Sequence, residues 1–174
     1  MQIKGEMEPP HGKQSDMAWT AWHEMEPAAA KNKGPAGKTN VICIHLGGND
    51  LVSTPLRKLT KQAQRDINTL AKLCPQTVLI WSDILARVSY RNAESNSKME
   101  KNRKTLNSAM RAHTRNYGGK SIRHPGINWN MPHLFRNDGV HLNDLGNDIL
   151  LGNLQEAIRS FERSRNRCEF PSQN

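Results

Sequence analysis

The amino-acid sequence predicts an α/β fold in which amphipathic helices cover a parallel β-sheet. Residues 41–46 and 77–81 are largely apolar runs rich in branched side chains, the composition of strands that are buried on both faces. Between these runs, apolar residues recur at spacings of three and four from Leu56 to Leu73, as on one face of a helix. A strand, a helix and a second strand form a βαβ unit, so the two strands are expected to be parallel with a right-handed crossover.

The first strand, residues 41–46, ends abruptly in Gly47, Gly48, Asn49 and Asp50. The two glycines allow a tight turn and a close approach of the backbone. Because ligands of open α/β sheets bind beyond the carboxyl ends of the strands, Asn49 and Asp50 are expected to face a site. The amide of Asn49 is a neutral donor, which suits the stabilisation of an oxyanion.

Capping residues and helix breakers predict the remaining elements. Thr54-Pro55 predicts the start of the first helix, and Cys74-Pro75 predicts its end. A second helix is predicted from about Lys98 to Asn116. Residues 120–124 are predicted to form a third strand, which is more polar and is therefore expected near an edge. A last helix capped by Asn143 completes a domain with about three strands.

The chain divides into three parts by composition. Residues 1–40 contain four prolines, four glycines and no sustained apolar period, so they are predicted to be a disordered leader. Residues 41–162 contain all of the predicted strands and helices and form the predicted domain. Residues 163–174 are polar and are predicted to be a frayed tail.

Charge, apolar content and cysteines indicate the setting of the protein. The formal net charge is +9, and no apolar run approaches the roughly 18 residues of a membrane span. The N-terminus has no apolar region of the signal-peptide type. Three cysteines without C-x-x-C spacing favour a reducing compartment, either cytoplasmic or nuclear. Cys43 lies in an apolar strand and is expected to be a small core residue.

A basic window lies between Tyr90 and Arg123, with nine basic residues and two acidic ones. The helical part of this window could contact the phosphates of a nucleic acid, or it could contact a protein partner. The residues predicted for such a contact are Lys98, Lys101, Arg103, Lys104, Arg111 and Arg115. A solvated helix face is the simpler interpretation, because no aromatic side chains are interleaved as stacking platforms.

A second chemical motif is Asp138-Gly139-Val140-His141, which precedes the last predicted helix. The carboxylate of Asp138 can accept the Nδ1 proton of His141, which leaves Nε2 free to act as a base. Other histidines allow other interpretations. His124 and His133 lie in a loop and are expected to be exposed. A zinc site is an alternative that lacks the usual ligand spacing, and its ligands would be His45, Asp50, Asp138 and His141.

Together, Gly47-Gly48-Asn49-Asp50 and Asp138-Gly139-Val140-His141 resemble the third and fifth signature blocks of the SGNH (GDSL-type) hydrolases. The resemblance covers about residues 41–161 and is closest to the SGNH-hydrolase-like domains of certain vertebrate retroelements. It implies a three-layer α/β/α sandwich and the hydrolysis of ester bonds, with no metal or organic cofactor. It also implies that Asn49 is an oxyanion-hole donor in a block that begins with Gly47, that His141 is the general base, and that Asp138 orients His141.

The same resemblance implies that the nucleophile is missing. The family's first block supplies a serine in a Gly-Asp-Ser-like turn after a strand, and its second block supplies a glycine whose NH joins the oxyanion hole. This sequence has no Gly-Asp-Ser and no Gly-Ser pair, and Ser15, Ser53 and Ser82 do not match the family position. We therefore expect an N-terminally truncated, catalytically impaired hydrolase of small esters. The alternative is a non-enzymatic, retroelement-derived remnant that binds nucleic acid or a protein.

The missing blocks also predict self-association. In the family's sheet, the first strand lies beside the strand that corresponds to residues 41–46. Without that neighbour, the apolar strand becomes an edge whose unpaired NH and C=O groups can recruit another chain. We therefore expect the chain to be marginally folded, to associate through the Val41–Leu46 strand, or to need a partner.

Overall fold

A computed structural model describes residues 40–172 as a four-stranded parallel sheet with helices on both faces. The strands are β1 (Asn40–Ile44), β2 (Thr77–Ser82), β3 (Lys120–Ile122) and β4 (Glu169–Phe170), in that order across the sheet. The helices are α1 (Asp50–Ser53), α2 (Leu56–Leu73), α3 (Asn96–Arg115) and α4 (Asp144–Arg163), with a 3₁₀ helix at Pro132–Leu134. The predicted α/β fold with a parallel sheet is confirmed. The predicted disordered leader lies outside the described residues, apart from Asn40.

The sheet separates two hydrophobic clusters, because neighbouring residues of a strand point to opposite faces. On one face, Trp81 of β2 belongs to a cluster with Ile67 of α2 and Leu106 of α3. On the other face, Ile80 of β2 belongs to a cluster with Phe161 of α4. All five side chains are buried. The fold is therefore a three-layer α/β/α sandwich.

The helices begin close to where the capping signals place them. α2 begins at Leu56, directly after Pro55, and the Asn143 side chain caps α4 by accepting a hydrogen bond from the Gly146 NH at 3.0 Å. α3 begins at Asn96, two residues before the predicted start, and α1 is a short helix that the sequence does not predict. None of the helices in residues 40–172 combines the length and the apolar character that a membrane crossing requires.

The sequence predicts about three strands and a frayed tail from residue 163, whereas the structure has a fourth strand in that tail. β4 pairs in parallel with β3, so β3 is not an edge strand and lies one strand from the edge of the sheet. The Glu169 carboxylate accepts a hydrogen bond from Arg123, and side-chain nitrogens of Arg111 and Arg115 each lie 3.6 Å from it. The Arg123–Glu169 contact spans 46 positions of the sequence, which is why no local pattern reveals it.

β1 lies at one end of the sheet and, within residues 40–172, pairs with β2 alone. Val41 is 45% exposed, and Cys43 is also exposed, so the core position predicted for Cys43 is wrong. Val41 and Cys43 lie next to residues of β2 that belong to the hydrophobic cluster beneath α4. No side chain of β1 belongs to that cluster. The composition of a strand does not indicate how far the helix that covers it extends, and here α4 covers the later strands.

Candidate functional site

Asp138 and His141 lie on the loop between the 3₁₀ helix and α4, where a tight turn brings their side chains together. Asp138 Oδ1 accepts hydrogen bonds from the backbone NH groups of Val140 (2.9 Å) and His141 (3.0 Å). Asp138 Oδ2 lies 2.6 Å from His141 Nδ1. Gly139 has a φ of +65°, a left-handed conformation that favours glycine and lets the chain turn here. The structure thus joins the two side chains of the sequence motif as a hydrogen-bonded dyad.

The hydrogen bonds of Asp138 determine the electrostatics of the dyad. They stabilise the carboxylate and hold the pKa of Asp138 below its ordinary value, and the side-chain bond from His141 has the largest effect. An ionised Asp138 accepts the Nδ1 proton, so the neutral His141 ring has its lone pair on Nε2. The His141 side chain is 69% exposed. Nε2 can therefore accept a proton from a small molecule that approaches from solvent.

Asn49 lies at the N-terminus of α1, beyond the carboxyl end of β1, and its side chain contacts Arg87. Arg87 Nη2 donates a hydrogen bond to Asn49 Oδ1 at 2.8 Å. Because a guanidinium can only donate, the contact fixes which end of the amide is the oxygen. No residue of 40–172 accepts the Nδ2 hydrogens, so they are left for another acceptor. A free amide donor is what binding an oxyanion requires. Within the described residues, no hydrogen bond joins Asn49 directly to Asp138 or His141.

Arg87 is a candidate functional residue that sequence analysis does not identify. Burial lowers the pKa of Arg87 below its ordinary value, and the neighbouring Tyr90 and Asp138 oppose this effect in part. The guanidinium carbon lies 5.9 Å from the centroid of the Tyr90 ring. A Cβ at Gly48 would lie 2.8 Å from Arg87 Nη2, so the glycine leaves room for the guanidinium. The sequence signal for Arg87 was a single basic residue between the end of β2 and Tyr90.

The segment that carries this guanidinium, residues 84–89, connects the hydrophobic core to the dyad loop. At its start, Asn107 of α3 accepts from the Ile84 NH at 2.9 Å and donates to the Ile84 carbonyl at 3.0 Å. At its end, the Gly139 carbonyl accepts from the backbone NH groups of residues 88–89 at 2.9 and 3.1 Å. With the hydrogen bond from Arg87 to Asn49, these five bonds join the segment to α3, to the loop after β1 and to the dyad loop.

Gly47, the first residue of its block, contributes conformation to the site. Its φ is +96°, a backbone conformation that L side chains rarely adopt. A Cβ at this position would also lie only 3.2 Å from Ile84 Cδ1. Gly47 therefore shapes the turn that carries Asn49 and lets it pack against the segment 84–89.

The hydrogen bonds between serine and histidine side chains lie away from His141, at Ser82. Ser82 Oγ lies 2.9 Å from His45 Nδ1 and 2.8 Å from His124 Nε2. Ser82 and His124 are both buried, so the predicted exposure of His124 is wrong. Burial, with a smaller contribution from the charge of His45, lowers the pKa of His124 to about 4. A fully buried hydroxyl cannot reach an ester in solvent, and no serine of residues 40–172 is hydrogen-bonded to His141.

Three of the four residues of the zinc alternative are hydrogen-bonded to other side chains. His45 is hydrogen-bonded to Ser82, whereas Asp138 and His141 are hydrogen-bonded to each other. In the part of the chain that the structure describes, no group of three or more His, Cys, Asp or Glu residues is placed to hold a metal ion. The geometry of residues 40–172 therefore does not support a zinc site.

A cavity of about 170 Å³ lies beyond the carboxyl ends of β2 and β3. Its polar lining includes Asp83, Arg103, Arg123 and His124, and residues 84–86 form part of its apolar wall. Neither Asn49 nor His141 lines this cavity. The dyad therefore lies outside this cavity. The two are connected only through the segment after β2, whose first residues line the cavity and whose last residues contact the dyad loop.

The basic residues of α3 are largely paired with carboxylates. Five of the six form ion pairs, which are Lys98–Glu94, Arg103–Glu100, Lys104–Glu100, Arg111–Asp83 and Arg115–Glu169. Lys101 is the member of the set that has no such pair among residues 40–172. The positive charge that α3 presents to a partner is thus smaller than the count of basic residues suggests.

Comparisons with protein-family models and with curated protein sequences find no match. Three features of residues 40–172 bear on function: the Asp138–His141 dyad, the Asn49 amide, whose Nδ2 has no acceptor among these residues, and the half-buried Arg87.

Proposed function

We propose that residues 41–162 form an SGNH-hydrolase-type domain that hydrolyses esters slowly, because no serine of residues 40–172 is hydrogen-bonded to its base, His141. The observation that carries the proposal is the 2.6 Å contact between Asp138 Oδ2 and His141 Nδ1, on a histidine whose side chain is 69% exposed. The free amide donor of Asn49 supports the proposal, since ester hydrolysis also needs a donor for the oxyanion.

In the proposed reaction, His141 activates a water molecule. Nε2 takes a proton from the water as the water oxygen attacks the ester carbonyl carbon, and the carbonyl oxygen becomes the oxyanion. Asp138 stabilises the imidazolium that forms. His141 then returns the proton to the leaving oxygen as the C–O bond breaks, so the products are a carboxylic acid and an alcohol. No acyl-enzyme forms, and turnover is expected to lie far below the roughly 1–10³ s⁻¹ of typical enzymes.

Hydrolysis of short-chain 4-nitrophenyl esters tests this proposal. His141→Ala is expected to lower the rate of the wild-type chain to the uncatalysed background. Asp138→Asn is expected to lower it by about tenfold or more, because general acid–base catalysis contributes roughly 10²–10⁴-fold. His133→Ala is the matched control, since His133 is an exposed histidine eight positions before His141, and this variant should keep the wild-type rate.

Two results would contradict the proposal in different ways. Equal rates for the His141→Ala and His133→Ala variants would exclude His141 as the base. Turnover of about 1 s⁻¹ or faster by the wild-type chain would show a complete catalytic apparatus and would contradict the proposed impairment.

We do not propose a second function for the basic face of α3. Binding to nucleic acid depends on cations that can neutralise phosphates, and most of these side chains already have carboxylate partners. The alternative function stays a prediction. It is weak, salt-sensitive binding to nucleic acid that does not depend on the nucleotide sequence. A filter-binding assay with nucleic acid checks this prediction on a variant in which Lys98, Lys101 and Lys104 are changed to Ala. Unchanged affinity for nucleic acid would show that this face is merely solvated.

A further inference from the structure

We infer that the candidate site binds an anionic group through Arg87, so that its preferred substrates are esters carrying a carboxylate or a phosphate. The choice of substrate rests on the proposed function. The anion site itself rests on the contacts and the charge of Arg87, and it can be tested without any catalytic step.

The charge of Arg87 is incompletely compensated within residues 40–172. The side chain is half-buried, and among residues 40–172 it forms no salt bridge with a carboxylate. Asp138 is close enough to raise the pKa of Arg87, but its oxygens already accept bonds from His141 and from two backbone NH groups. Charges that leave water are usually paired, and a bound anion would supply the missing partner.

The Arg87 guanidinium also has more N–H donors than acceptors beside it among the described residues. A guanidinium has five N–H groups in a planar fork, and Arg87 gives one of them to Asn49 Oδ1. The remaining N–H groups have no acceptor within the described residues. Two parallel N–H groups match the oxygens of a carboxylate or a phosphate, which is why arginine is common where such groups are recognised.

Arg87 also lies next to the groups proposed to react. Its guanidinium is hydrogen-bonded to the amide whose Nδ2 is free for an oxyanion, and it interacts with the carboxylate that orients His141. Gly48 keeps side-chain atoms away from the guanidinium. A neutral glutamine at position 87 could donate one N–H to the Asn49 amide equally well. Holding Asn49 in place therefore does not require the positive charge of Arg87.

Binding is tested by NMR titration of the 174-residue chain with inorganic phosphate and acetate, and with acetamide as the neutral control. We expect phosphate and acetate, but not acetamide, to shift the side-chain resonances of Asn49 and His141. Arg87→Gln keeps a donor for Asn49 and removes the charge, and it is expected to weaken phosphate binding about tenfold. Arg87→Lys should lose less, and Arg91→Met, at an exposed neighbouring arginine, should bind as the wild type does.

Equal phosphate affinity for the wild-type chain and a folded Arg87→Gln variant would overturn the anion site. So would equal shifts with acetate and acetamide. Far-UV circular dichroism of each variant shows whether it is folded. If Arg87→Gln is not folded, the phosphate affinity of Arg87→Lys is compared with that of the wild-type chain instead.

The substrate preference is tested with two esters of matched length, 4-nitrophenyl butyrate and mono-(4-nitrophenyl) succinate. We expect the wild-type chain to have about a tenfold higher kcat/KM for the succinate, and the ratio to approach one in Arg87→Gln. An unchanged ratio in that variant would overturn the assignment of substrate class. Failure to hydrolyse either ester in a His141-dependent way would instead overturn the proposed function, and the phosphate titration would still decide the anion site.

Discussion

Replacing Asn107 with leucine tests how the segment that carries Arg87 is anchored to the core. Asn107 is buried, and its amide makes two hydrogen bonds to the backbone of Ile84, at 2.9 and 3.0 Å. Leucine has the same branching at Cγ, so the change removes both hydrogen bonds while opening little cavity. The expected effect is therefore mainly the cost of the lost hydrogen bonds.

The two lost bonds are not equivalent. The Ile84 carbonyl keeps a second donor, Arg103 Nη1, at 2.6 Å, whereas the Ile84 NH is left buried without an acceptor. A buried polar group without a partner costs about 1–3 kcal/mol. We therefore expect Asn107→Leu to lower the free energy of unfolding by about 2 kcal/mol, which corresponds to a fall in Tm of roughly 4–8 °C for a chain of this size.

Urea unfolding followed by far-UV circular dichroism measures this change. Asn102→Leu is the matched control, because Asn102 lies on the same helix, is half-buried, and makes no side-chain hydrogen bond among the described residues. Its effect is expected to stay within about 0.5 kcal/mol. If the two variants have equal free energies of unfolding, the Asn107 amide does not anchor the segment and the reasoning is wrong.

Three further changes test other parts of the fold. The pKa of His124 is about 4 in the folded chain against an ordinary value of 6.5, so the unfolded chain binds more protons between these pH values. His124 should therefore contribute a fall of up to about 3 kcal/mol in the free energy of unfolding from pH 6.5 to pH 4, and His124→Gln should remove this contribution in urea titrations at each pH. Gly146→Ala should lower the free energy of unfolding by about 1–3 kcal/mol, because a Cβ would lie 2.3 Å from the Leu134 carbonyl oxygen. Gly152→Ala is its control in thermal unfolding and should raise stability, since nothing lies within 4 Å of that Cβ. Val41→Lys should reduce self-association at the β1 edge in analytical ultracentrifugation, and a wild-type chain that stays monomeric at the same concentration would contradict that expectation.

The sequence by itself determines the features that depend on neighbours a few residues apart. Apolar periodicity over 56–73 predicts α2, and the Asn143 cap predicts where α4 begins. The Asp138–His141 contact also belongs to this class, because both residues lie in one turn and Asp138 bonds to backbone groups two and three residues ahead. Periods and caps act through the local backbone, so the order of residues is enough to reveal them.

The tertiary structure alone decides which distant residues meet. Arg87 reaches Asn49 across 38 positions, and His124 reaches Ser82 across 42, so neither contact leaves a trace in local spacing. The same is true of β4, whose two residues are too few to form a recognisable apolar run. A side chain that is basic or polar in the sequence can be solvated, paired or buried, and its burial depends on how the chain packs around it. The exposed Cys43, the buried His124 and the half-buried Arg87 differ for that reason.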